Sequence, residues 1–170
     1  TNGILFNHES PLRGETFVTK KVTQFVAKEK LKKNNTKFLS LGNLNAKRDW
    51  GHAKDYVIAM WKMMQQKKPD DFVVATGNST SVRKFVEMSF DVVGIKIKWI
   101  GKGLSEKGIN KKTGKILVKV SKRFFRPNEV NYLKGDTKKA RKILKWKPKI
   151  KLKEMIKEMI EYDLSKITNS

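Results

Sequence analysis

Apolar positions along the 170 residues recur with two periods, near two and near 3.6, and the switches between them divide the chain into elements. Gly3, Ile4, Leu5 and Phe6 form an apolar run that predicts a buried strand. The polar stretch from Asn7 to Lys21 follows at the strand's end, which is where open α/β folds bind ligands. Phe17, Val18, Val22, Phe25, Val26 and Leu31 then recur at helical spacing, and Lys32-Lys33-Asn34-Asn35 closes that helix. Phe38-Leu39-Ser40-Leu41 predicts a short strand, and Gly42 to Asn45 a turn opening onto Arg48.

Between Ala53 and Gln66, Tyr56, Val57, Ala59, Met60, Trp61, Met63 and Met64 cover most of a helix circumference, so this helix is expected to be buried. The β-branched run from Phe72 to Gly77 predicts a core strand, parallel to its neighbours. Ser79 or Thr80 then caps a helix with Val82, Phe85, Val86, Phe90 and Val93 inward, stopped by Gly94. Ile95 to Ile100 and Lys115 to Val120 alternate as half-exposed strands do, and the polar Gly101 to Gly114 segment between them reads as a long hairpin or lid-like loop. Its Gly101-x-Gly103 start is not a phosphate loop, because the third glycine is missing and no helical pattern follows. Asp136 or Thr137 begins a helix that Trp146-Lys147-Pro148 interrupts, and Leu152, Met155, Ile156, Met159, Ile160 and Leu164 line one face of a terminal helix. The order of elements describes one α/β unit spanning 1–170.

Composition narrows the class. No apolar run approaches membrane-spanning length, and the absence of cysteine suits a cytoplasmic protein and removes thiolate metal sites. His8 and His52 are far apart and neither has a partner at zinc spacing, so no metal is expected. The formal charge of +23 favours unspecific binding of polyanions. Arginine, which clamps phosphate and reads guanine edges, stands only at positions 13, 48, 83, 123, 126 and 141. The remaining charge is lysine spread along the chain, a pattern closer to compositional bias than to a dedicated nucleic-acid surface.

Three stretches carry candidate chemistry. In Asn7-His8-Glu9-Ser10-Pro11-Leu12-Arg13-Gly14 the side chains can bond a ligand and Arg13 offers a planar fork for phosphate; a helix-capping loop is the other reading. Arg48-Asp49 beside Trp50 and His52 reads as a catalytic cluster, a nucleic-acid patch or an ion-paired structural loop. Arg126-Pro127-Asn128-Glu129-Val130 sets a cation and an anion close together, suited either to the two ends of a nucleoside diphosphate or to a surface salt bridge. Tyr162 and Lys166 form a Tyr-x-x-x-Lys spacing in the terminal helix, far from any Gly-rich turn, and are read as coincidence.

Together these stretches, with Arg48-Asp49-Trp50-Gly51-His52-Ala53-Lys54-Asp55-Tyr56-Val57, resemble the C-terminal half of the GDP-mannose 4,6-dehydratase family of extended short-chain dehydrogenases/reductases. The resemblance runs from Asn2 to about Leu164. It implies the substrate-binding part of an incomplete NAD(P)-binding Rossmann fold. His8 and Arg13 are implied to touch NADP, and Asn7 to reach the substrate, GDP-mannose. Lys21 is implied to lie near the guanine or diphosphate, Arg48 at the diphosphate, Arg126 at the pyrophosphate and Glu129 at the ribose. Family chemistry oxidises the mannose at C4, eliminates water across C5 and C6 and returns the hydride to C6, giving GDP-4-keto-6-deoxymannose. Its catalytic Tyr-x-x-x-Lys pair and Gly-rich turn belong to an N-terminal half not found in these residues. The chain is therefore expected to be a fragment, a processed piece or half of a split gene. It is expected to be inactive alone, to pair with a complementing N-terminal half, and to form a homo-oligomer. The family commonly has arginine where Leu12 stands, which bears on cofactor affinity and assembly. A noncatalytic remnant binding nucleic acid or nucleotide sugars is the alternative.

Overall fold

The computed structural model describes residues 1–34, 37–125 and 130–169. In chain order the elements are β1 (Asn2–Leu5), β2 (Asn7–Glu9), α1 (Val18–Lys30), β3 (Leu39–Leu41), β4 (Lys47–Arg48), β5 (Trp50–His52), α2 (Ala53–Met64), β6 (Asp71–Val74), β7 (Thr80–Ser81), α3 (Val82–Val92), β8 (Ile97–Ile100), β9 (Lys107–Asn110), β10 (Ile116–Val120), α4 (Lys138–Ile143) and α5 (Leu152–Thr168). The mixed α/β class read from the periodicities is the one observed.

Two apolar cores organise these elements. In the larger, α1, α3 and α5 bury Val22, Phe25, Val26, Phe85, Phe90, Met155, Ile156, Met159 and Ile160 against Leu39, Leu41, Leu117 and Val118 of a four-stranded sheet. That sheet has the order β3-β10-β9-β8, with β3 parallel to β10 and the other pairs antiparallel. The segment 101–114 is thus more than a loop: Lys107 to Asn110 form a strand between the two hairpin arms. Its polar residues hid the alternation, since Gly108 is the inward position and lies under Trp99.

The smaller core joins α2 and α4 to a parallel pair, β1 with β6, through Tyr56, Ala59, Met63, Phe72, Val74, Ala140, Leu144 and Trp146. At Gly3 of β1 the helix α2 comes close; a Cβ there would stand 3.1 Å from the Met63 methyl. A second parallel pair, β2 with β5, and a short antiparallel pair, β4 with β7, connect the cores. The polar stretch after β1 therefore begins as a strand, because Asn7 to Glu9 pair with Trp50 to His52. The cap of α3 falls on Ser81, whose hydroxyl accepts from the Lys84 amide at 3.1 Å, rather than on Ser79 or Thr80.

One expectation fails on α2. Asp55, Tyr56, Ala59 and Met63 are buried, but Val57, Met60, Trp61 and Met64 remain 61, 38, 61 and 76% exposed. Their spacing, i, i+3, i+4 and i+7, places them on one face. The opposite flank faces the smaller core: Asp55 Oδ2 accepts from the Lys149 and Ile150 amides, and Lys62 Nζ donates to the Leu144 carbonyl. The apolar stripe is consequently left uncovered among the described residues, as is Ile4 of β1, 55% exposed in a strand that pairs with β6 alone. No helix among the described residues is long and apolar enough to cross a membrane.

This division of α2 is testable by chemical denaturation. Met63→Ala should cost about 2–5 kcal/mol by opening a cavity. Trp61→Glu or Met64→Lys should change the unfolding free energy by no more than about 0.5 kcal/mol.

Candidate functional site

Asp49 is the structural half of the Arg48-Asp49 pair. It is fully buried, and its Oδ1 accepts from the Thr76 amide at 2.8 Å and the Thr76 hydroxyl at 2.5 Å. Its Oδ2 accepts from the amides of Gly77 at 2.9 Å and Gly135 at 3.2 Å. These bonds satisfy both oxygens of a buried carboxyl group and lock the chain between β4 and β5 to the end of β6. Strand alternation then sends the neighbouring Arg48 side chain the other way, where Nη1 donates to the carbonyls of Lys47 and Val130. His52 is also structural: its Nδ1 caps α2 by accepting from the Lys54 amide, and its Nε2 meets Glu158 of α5 at 2.8 Å.

Arg48 opens onto a cleft of about 420 Å³ lined by Lys21 of α1, Gly42, Asn43, Arg123 and Phe124, among others. Two residues that the sequence reading assigned separately, Lys21 and Arg48, are thus brought together by folding. Arg123 and Phe124 were missed; the only signal for them was the cation–aromatic run Lys122 to Phe125 just after a strand. Phe124 lies under the Lys21 ammonium at 5.0 Å. Gly42 is required by close approach, since a Cβ would stand 2.1 Å from the Phe124 carbonyl oxygen.

Electrostatically the cleft suits an anion. Among the described residues its lining holds Lys21, Arg48 and Arg123 and no carboxylate. Phe17, Val18 and Lys21 sit at the start of α1, which has neither a side-chain cap nor an acid in its first turn. The partial positive charge of that 13-residue helix therefore adds to the three cations. A bidentate guanidinium beside a flexible ammonium and helix amides matches the extended negative charge of a diphosphate.

The opening stretch builds a different place. Asn7, His8 and Arg13 line a shallow depression of about 340 Å³ with Ile4, Leu5, Phe6 and Leu133, along the free side of β1. His8 Nδ1 lies 2.9 Å from the Phe6 carbonyl, and its ring packs 5.1 Å from that of Tyr56. Arg13 stacks on Phe17 and pairs through Nε with Glu9 at 3.1 Å. Glu9 is buried, takes the Thr19 hydroxyl at 2.6 Å and serves to hold Arg13. Lys20 fixes the same loop from below, donating to the Pro11 carbonyl and to Asp163 of α5. An apolar floor with an arginine and an imidazole on its rim fits one side of a dinucleotide cofactor. The hydroxyl of Tyr56 is buried with no hydrogen-bond partner among the described residues, and burial, reinforced by Asp49, Glu9 and Asp55, pushes its ionisation well above the ordinary phenol range. Arg126 and Glu129 lie outside the described residues.

The fold and both pockets can now be set beside known proteins. The GDP-mannose 4,6 dehydratase family model matches residues 1–159. The chain is 54% identical over 168 residues to GDP-mannose 4,6 dehydratase of Dictyostelium discoideum, covering 99% of this chain and 47% of that protein. With the human GDP-mannose 4,6 dehydratase it shares 53% identity over 163 residues, 96% of this chain and 43% of the relative. The chain thus spans about half the length of the curated relatives it matches. Among solved structures, RMD from Pseudomonas aeruginosa complexed with NADPH superposes with a TM-score of 0.78 at 17% identity, over 96% of this chain and 48% of that one. UDP-glucose 4-epimerase of Thermotoga maritima with UDP-glucose gives 0.71 at 20% identity, over 97% and 46%. These structures share the fold of the extended short-chain dehydrogenase/reductase type.

Two measurements follow from the site's packing. Asp49→Asn replaces an acceptor by a donor facing two amides, and should lower stability by about 2–3 kcal/mol in urea unfolding. Burial raises the ionisation of Glu9 above the ordinary carboxylate value, outweighing Thr19, Arg13 and His8. The folded state then holds its proton more tightly than the unfolded chain. Stability relative to Glu9→Gln should therefore be greatest below the unfolded value and fall as pH rises towards the raised one. Parallel pH profiles of the two proteins would contradict this.

Proposed function

This chain belongs to the GDP-mannose 4,6-dehydratase family, and from that premise we propose that it supplies the sugar-nucleotide-binding half of an enzyme converting GDP-mannose to GDP-4-keto-6-deoxymannose. The observation that carries the reading is the cleft where, among the described residues, Lys21, Arg48 and Arg123 gather around the uncapped start of α1. The diphosphate lies there, with Arg48 as the bidentate partner and Lys21 as the mobile one. Arg126 at the pyrophosphate and Glu129 at the ribose hydroxyls belong to the same reading.

The depression beside β1 receives the cofactor's edge. His8 and Arg13 would hold NADP, and Asn7 would reach the sugar between cofactor and cleft. When bound, NADP supplies the acceptor and donor of hydride; the residues of this chain bind, orient and screen the reactants from water. The four-donor grip on Asp49 fixes Arg48, and the Glu9–Thr19 and Lys20–Asp163 contacts fix the loop that carries Arg13.

Chemistry requires a nucleotide-binding half as well, because the 170 residues contain no Gly-x-Gly-x-x-Gly turn and their one Tyr-x-x-x-Lys lies on α5, with Tyr162 beside Lys20. The open edge of β1 and the apolar stripe of α2 suit such a half. A further parallel strand would pair with β1, and its helix would cover Val57, Met60, Trp61 and Met64.

Calorimetric titration with GDP-mannose, GDP and UDP-glucose tests the substrate reading. The guanosine ligands should bind selectively, and Arg48→Ala should weaken them about tenfold or more by removing charge-assisted bonds. Equal affinity for all three ligands, or no effect of Arg48→Ala, would sink the assignment.

A further inference from the structure

The four-stranded sheet has one face under the helices and one turned outwards, and the registers say which residues stand on each. Leu39, Val118, Gly108 and Trp99 form an inward rung. The next rung, Ser40, Lys119, Lys107 and Ile100, points away from the helices, and Lys98, opposite Ile109, follows on the same face. Lys107 and Lys119 are directly opposite each other on adjacent strands, an arrangement of like charges that destabilises a sheet.

Among the described residues no carboxylate pairs with Lys98, Lys107 or Lys119, because the nearby acids are engaged elsewhere: Glu106 with Arg83, Glu29 with Lys115, Asp91 with Lys96 and Glu87 with Lys84. The contact that Lys119 does make is with an aromatic ring, its ammonium standing 4.0 Å from the centre of Phe38. The lysine rung meets the cleft at its β3 end, since Ser40 belongs to both.

We propose that this outer face binds the phosphate backbone of a single-stranded nucleic acid, a function separate from the recognition of a nucleotide sugar. A line of phosphates neutralises the opposed lysines and gains the entropy of released counterions. Phe38 borders the rung with a ring on which an unpaired base stacks, which a duplex or an acidic polypeptide does not offer. The like-charge pair is thus a cost to the free sheet that the ligand repays.

The test is fluorescence anisotropy of a labelled oligothymidine of about 15 nucleotides, titrated at several salt concentrations with saturating GDP present to keep the cleft out of the readout. Replacing Lys107 and Lys119 by threonine should weaken binding about tenfold and reduce the logarithmic salt slope by about 1.4, some 0.7 for each lost phosphate contact. The same replacement should raise the thermal midpoint of the free chain, because the repulsion is gone and threonine suits a strand. Lys142→Gln with Lys153→Gln, which removes equal charge from α4 and α5, should leave affinity and slope nearly unchanged. Equal losses in both double variants would reduce the effect to net charge and overturn the proposal. So would displacement of the oligonucleotide by GDP, equally tight and rung-dependent binding of poly-glutamate, or a lowered midpoint with binding retained. None of these outcomes depends on which sugar nucleotide the cleft prefers.

Discussion

The carboxylate of Asp49 is the constraint on which the rest of the site depends. It takes hydrogen bonds from Thr76, Gly77 and Gly135, segments that are remote from it in sequence. Each amide would otherwise be a buried donor without an acceptor, so one side chain settles three backbone obligations at the junction of the two cores. Because β4 precedes it and β5 follows it, the same anchor decides where Arg48 points and where Trp50 enters the larger core. The cleft therefore depends on a buried polar contact made by the residue next to Arg48, one of its cations.

The two cores differ in how completely they are closed. In the larger, three helices cover one face of a sheet, and the burial of Met155, Ile156, Met159 and Ile160 leaves its apolar residues satisfied. The smaller rests on two parallel strands and has an apolar helix flank and a strand edge that are left exposed among the described residues. A two-stranded parallel pair is a poor sheet by itself, since parallel sheets ordinarily bury both faces. The binding half of the reading thus rests on a finished core, and the cofactor half on an unfinished one. That asymmetry agrees with a chain spanning about half the length of its relatives.

Charge follows a comparable division. Where lysine is bound into the fold it has a particular acceptor, as Lys20 has in Pro11 and Asp163. On the outer sheet face lysines oppose one another without acids among the described residues, and in the cleft cations gather about a helix start. With 39 basic and 16 acidic residues, pairing every cation is impossible, so their distribution carries the information that their number does not.

Much of this was legible in the sequence. The helical periodicity of Val22, Phe25 and Val26, the β-branched run at Val73 and Val74 and the apolar face of α5 are local patterns, and local sterics with burial turn them directly into elements. The blocks around Asn7, Arg48 and Arg126 likewise sufficed to identify the family. Local pattern could not say that Asn7 to Glu9 would be a strand or that 107–110 would be another, because their pairing partners lie far along the chain. It could not tell which apolar residues of α2 would find a neighbour. Nor could it join Lys21 to Arg48 and Arg123, or set Lys107 opposite Lys119, since those meetings depend on strand register and helix placement. The sequence alone determined the helices, the apolar strands among them, the order of these and the family. The tertiary structure decided which side chains share a surface, because that is fixed by long-range burial and backbone pairing rather than by neighbours in the chain.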